Sequence, residues 1–168
     1  MHVLLAIAGD AAATRWVEAF AAALPEARID VWDPAGRAVD ADVAVVWHPP
    51  AELFERERRL RAVFNLGAGV DGLLAVPTLP AELPVVRLED AGMTVQMAEY
   101  VLHALWRAAR NFAAYDQAQR SEDWRLLPVT RRGDWPVGVM GLGKVGVRIA
   151  QDVAAVGYPV AGWSRTPR

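Results

Sequence analysis

Short apolar runs alternate with stretches of helical periodicity from the first residue, and no other feature restricts the fold so tightly. VLLAIAG (3–9), ARIDVWD (27–33), ADVAVVWH (41–48), VFNLGAG (63–69) and PVVRLED (84–90) have the lengths of strands. Strands covered on both faces read this way, as near-continuous apolar runs. Between them lie ATRWVEAFAAAL (13–24), stopped by Pro25, and AELFERERRLRA (51–62), both with helical patterning. Such alternation predicts an α/β fold with a parallel sheet and helices on its faces, here a flavodoxin-like domain over residues 1–94. A long helix is expected from Val95 to Arg120, with Met97, Val101, Leu105 and Phe112 near one face and Leu102 and Trp106 beside them. With the irregular RSEDWRLLPVTRRGDW (120–135) it makes an interdomain segment, 95–135. The run ERERRLR (55–61) reads as a solvated helix face of mixed charge.

A second unit, 136–168, begins at Pro136: an apolar strand, the turn GLGKVG, a helix over 143–156, a turn at Gly157 and the strand YPVAGWS. This is the first βαβ unit of a Rossmann domain. Gly141, Gly143 and Gly146 match G-x-G-x-x-G in the strand–turn–helix context that gives the motif its meaning. The first glycine permits the tight turn, the second lets backbone approach a pyrophosphate, and the third lets helix pack on strand. The helix N-terminus adds N–H donors and a partial positive charge. Gly141, Leu142, Gly143, Lys144, Val145 and Gly146 are therefore the expected phosphate grip. A glycine turn that serves packing alone, or an adenosyl-methyltransferase type of site, are the other uses of this pattern. An NAD-preferring site carries Asp or Glu about 20 residues beyond the first glycine. Ser164 holds that place here, followed by Arg165 and Arg168. A hydroxyl and two guanidiniums suit a 2′-phosphate, so the expected cofactor is NADP, with NADPH preferred over NADH; the alternative is a solvated basic turn.

Composition narrows the partners. A net charge of −2 offers no electrostatic footprint for nucleic acid or an anionic membrane. No uncharged apolar run reaches the roughly 18–20 residues a bilayer span needs, and the start lacks the pattern of a secretory signal. Without cysteine there is no disulfide and no thiolate chemistry, and no metal site is expected. A soluble, cytoplasmic protein is the expectation.

Several stretches together resemble the D-isomer-specific 2-hydroxyacid dehydrogenases, and within them the A-type glyoxylate/hydroxypyruvate reductases. They are VVWHPP (45–50), AVFNLGAGVDGLL (62–74), VVRLEDAGMTVQMAEYVLHALWR (85–107), GVMGLGKVG (138–146) and GWSRTPR (162–168). The resemblance spans nearly the whole chain. It implies reduction of a small 2-oxoacid by NADPH and a homodimeric full-length protein. It also implies that backbone N–H groups of Ala68 and Gly69 hold the substrate carboxylate, with Asp71 bracing the turn. Trp47 would line the substrate pocket, and Arg87 and Met93 would sit near the cleft. Core packing is the alternative for Trp47 and Met93, and a simple turn is the alternative for GAGVDG.

The same resemblance implies a His–Glu pair and an Arg to supply the proton and the carboxylate cation, and it places them in sequence beyond residue 168. His2 is terminal, His48 sits in a Trp-His-Pro-Pro loop without an acidic neighbour, and His103 falls mid-helix. No catalytic residue is assigned. The chain is therefore expected to be the N-terminal half of a reductase, without turnover by itself. The competing expectation is a non-catalytic module that binds a nucleotide or a partner subunit through its long helix.

Overall fold

The computed structural model describes residues 1–7 and 10–166, without the side chains of 10–12. Its contacts divide the chain into two compact units, Met1–Glu89 and Asp90–Arg168.

The first unit is a five-stranded sheet in the order β2-β1-β3-β4-β5. The strands are β1 (His2–Ile7), β2 (Arg28–Val31), β3 (Val43–Trp47), β4 (Ala62–Asn65) and β5 (Val85–Arg87). All pair in parallel, with Val3 opposite Val43 and Val45 opposite Phe64. This is the expected flavodoxin-like order. Central strand β1 buries Val3 to Ala6 without a break, because helices cover both its faces. On one face Val3, Leu5 and Val45 meet Val17 and Phe20 of α1 (Asp10–Ala23). On the other, Leu4, Ala44, Val46 and Val63 meet Leu53 and Phe54 of α2 (Ala51–Arg56) and Leu73 of α3 (Asp71–Leu74).

Helix α2 is half the expected length, and ERERRLR is not a solvated helix face. The helix ends at Arg56 because Glu57 turns inward and is 3% exposed. Its carboxylate accepts from the backbone N–H groups of Val39 (2.9 Å) and Ala41 (3.3 Å). The connection between β2 and β3 has no ladder of its own, and its buried N–H groups need an acceptor. Arg56 lies over the Trp32 ring, 3.9 Å from its centroid, and donates to the carbonyls of Asp33 and Pro34.

In the second unit the long helix is two helices, α4 (Met93–Ala109) and α5 (Phe112–Arg120). The break is Asn111, whose φ of 55° is left-handed, a conformation asparagine tolerates better than most residues. Val101, Leu102 and Leu105 of α4 pack with Val153, Ile149 and Val160. Met97 and Phe112, expected near the same face, and Trp106, expected beside it, remain 40–45% exposed. The βαβ module is β6 (Val137–Met140), α6 (Lys144–Ala155) and β7 (Val160–Trp163), with β6 and β7 parallel. No helix among the described residues is long and apolar enough to cross a membrane.

Candidate functional site

Two sets of groups lie at strand ends, one in each unit. In the first unit β4 ends at Asn65, which is 6% exposed. Its side-chain amide donates to the carbonyls of Gly67 and Gly69, both at 2.9 Å. Arg87 of β5 donates to the carbonyl of Ala68 at 3.3 Å. The loop between β4 and α3 is thus held from the sheet side. Ala68 is half-buried and Gly69 exposed, and a Cβ built on Gly69 would meet nothing within 4 Å.

Trp47, the last residue of β3, lies against the same loop. A Cβ on Gly67 would overlap the Trp47 ring at Cζ3, so glycine is required there by the indole. His48 takes a left-handed φ of 52° and places its ring edge-on to Trp47, 4.6 Å between centroids. Trp47 is 41% exposed, so this contact leaves much of its surface open. Asp71 opens α3 and makes no side-chain bond to the loop among the described residues; the hydrogen bonds that brace it come from Asn65 and Arg87. Sequence reasoning passed over Asn65. The available signal was a polar residue closing an apolar strand just before a glycine-rich loop, a position where its amide serves turns.

In the second unit, the chain leaves β6 through Gly141 at φ 99°, a conformation that favours glycine. A Cβ on Gly146 would overlap the carbonyl oxygen of Gly141, so the third glycine lets the helix close onto the turn. Gly143 is different. Its φ of −74° suits any residue, and a Cβ there would meet nothing within 4 Å. Leu142 lies over β7, where a Cβ on Gly162 would come 2.8 Å from Leu142 Cδ2. Lys144, Val145 and Gly146 form the first turn of α6, whose N–H groups have no intrahelical acceptor.

Gly141, Leu142 and Gly143 share a cavity of about 390 Å³ with Trp163, Ser164, Arg165 and Thr166. The structure therefore gathers the glycine turn and the end of β7 at one place. The Ser164 hydroxyl donates to the Thr166 carbonyl and keeps its lone pairs for another donor. Arg165 is exposed, and Arg168 lies outside the described residues. Asp90, the first residue of this unit, accepts from the backbone N–H (2.9 Å) and hydroxyl (2.8 Å) of Thr94. Those bonds, with a lesser contribution from the Lys144 charge, hold its carboxyl below the usual range.

Of the histidines, His48 adjoins the first of these places through Trp47. His2 Nε2 is 2.8 Å from the Asp30 carboxylate, and His103 is exposed on α4. No group of histidine and carboxylate side chains among the described residues could hold a metal.

Residues 102–168 match the family model described as D-isomer specific 2-hydroxyacid dehydrogenase, NAD binding domain. Glyoxylate/hydroxypyruvate reductase A of Serratia proteamaculans is 41% identical over 161 residues, covering 93% of this chain and 51% of that protein. The Citrobacter koseri protein of the same name is 42% identical over 156 residues, covering 90% of this chain and 49% of its own length. The chain spans about half the length of the curated relatives it matches. Among solved structures, an NADPH-dependent glyoxylate/hydroxypyruvate reductase of Sinorhizobium meliloti, in complex with NADP and sulfate, superposes with a TM-score of 0.85 at 35% identity. It is covered over 53% of its chain, and this chain over 99%. A D-isomer specific 2-hydroxyacid dehydrogenase of Xanthobacter autotrophicus Py2, in complex with NADPH and MES, gives 0.86 at 36% identity, with 99% and 54% covered.

Proposed function

We propose, for a chain that belongs to the D-isomer-specific 2-hydroxyacid dehydrogenases, that it serves the NADPH-dependent reduction of a small 2-oxoacid such as glyoxylate or hydroxypyruvate. The observation that carries this reading is the dinucleotide turn. Backbone conformation accounts for glycine at 141 and packing for glycine at 146, and neither accounts for glycine at 143. Space kept open over a helix N-terminus, at the mouth of a cavity shared with Ser164 and Arg165, fits a pyrophosphate and an adenosine ribose.

In this reading the first turn of α6 holds the pyrophosphate, and Ser164 and Arg165 hold the 2′-phosphate, with Arg168 beside them. When bound, the cofactor supplies a hydride. Ala68 and Gly69 present backbone N–H groups to the substrate carboxylate, and Trp47 walls the pocket beside them. Relatives named NADPH-dependent or solved with NADP support the cofactor assignment. The proton is not supplied by His2, bound to Asp30, nor by His48 or His103, which lack acidic partners among the described residues. These residues alone therefore bind cofactor without turnover. A homodimer is part of the proposal, supported by the segment after α5, where Trp124 is 95% and Leu126 88% exposed.

The test is titration of the purified chain with NADPH and with NADH, followed by NADPH oxidation with glyoxylate. Binding of NADPH in preference to NADH without oxidation is expected. Equal binding would remove the 2′-phosphate role of Ser164 and Arg165. Oxidation would make His48 the first residue to replace. Loss of NADPH binding in a folded sample would leave the non-catalytic partner-binding reading in its place.

A further inference from the structure

We propose that Asn65 and Arg87 are positioning residues that set the direction and acidity of three successive backbone N–H groups, those of Ala68, Gly69 and Val70. The inference rests on the carboxylate-loop reading and assigns residues to it that act from behind. In a planar trans peptide, C=O and N–H point in opposite directions. The carbonyl of Gly67 shares its peptide with the N–H of Ala68, that of Ala68 with Gly69, and that of Gly69 with Val70.

All three carbonyls are tied by side chains from the strand ends: Gly67 and Gly69 by Asn65, Ala68 by Arg87. Each tie turns the N–H at the other end of its peptide away from the donor. None of these three N–H groups donates to a described residue. Successive N–H groups aligned this way form an anion site. Donation to a carbonyl also withdraws electron density through the peptide, which strengthens the N–H as a donor, and most where the donor is a cation. The Ala68–Gly69 peptide, tied by the Arg87 guanidinium, is thus the most polarised of the three. Asn65 is suited to its task by burial, which removes competing water, and by carrying two N–H groups on one planar amide. Arg87 stays exposed, so replacing it leaves the sheet core untouched.

Amide spectra of the ¹⁵N-labelled chain titrated with glyoxylate test the assignment. In the wild type the Ala68, Gly69 and Val70 resonances are expected to move together and saturate. Arg87→Gln should weaken binding roughly tenfold, with the largest change at Gly69. Arg87→Lys, which keeps a cation, should restore part of it. Asn65→Asp, nearly isosteric but unable to donate at both carbonyls, should abolish the shifts at Ala68 and Val70. Unchanged β1 and β2 resonances serve as the check on folding. Wild-type affinity in both Arg87→Gln and Asn65→Asp would overturn the positioning role and leave the carboxylate loop standing. No movement of the three resonances in the wild type would overturn the loop and the positioning role together.

Discussion

One methyl group should affect stability differently at two glycines three residues apart. At Gly146 a Cβ overlaps the Gly141 carbonyl oxygen, so Gly146→Ala must push α6 off the turn, a kind of overpacking that costs about 1–3 kcal/mol. At Gly143 the backbone is ordinary and the space is open, so Gly143→Ala should leave stability within about 1 kcal/mol of wild type. NADPH binding should fall in both. Thermal melts beside cofactor titrations check this; binding that survives Gly143→Ala would mean that the open space serves no ligand. Both glycines were legible in the sequence because their spacing is local and their context, strand then helix, could be read alongside. Glu57 was not, because its partners Val39 and Ala41 reach it only through the fold. A carboxylate among arginines looks solvated until the backbone that it satisfies is in place.

At the scale of elements, α4 illustrates both what periodicity gives and where it fails. The apolar spacing located Val101, Leu102 and Leu105 on the packed face. It continued through Asn111 because a hydrophobic pattern carries no information on backbone hand. Replacing Asn111, at φ 55°, with Gly should be neutral or stabilising, whereas Asn111→Val should cost about 1–2 kcal/mol; denaturant melts measure the difference. The start of α4 should respond to acid. The Asp90 carboxyl is held below its ordinary 3.8 by its bonds from Thr94. A group depressed on folding contributes stability above its unfolded value and loses it as pH falls through the folded one. The contribution is therefore complete above 3.8 and fades only below it. Asp90→Asn should remove that component, so that amide exchange at the first turn of α4 becomes less pH-dependent below 3.8. An unchanged acid profile would show that the Thr94 bonds do not hold the helix start.

For the whole molecule, ligands offer the sharpest separation of the two units. A ligand that binds only the folded state stabilises it by about 2.7 kcal/mol at a hundred times its dissociation constant. The stabilisation acts first on the openings that destroy its site. NADPH should therefore slow amide exchange in 137–166, and in α4 through its packing on α6. Glyoxylate should slow exchange at 65–70, the residues of the loop and its brace. The division follows from the structure, since the glycine turn and the end of β7 line one cavity in the second unit. The tied carbonyls of Gly67, Ala68 and Gly69 belong to the first. Exchange mass spectrometry with each ligand alone makes the comparison. Protection by NADPH centred on 65–70, or by glyoxylate centred on 141–146, would exchange the roles proposed for the two loops. Protection in neither would remove both sites and leave the fold as the only property shared with the reductases.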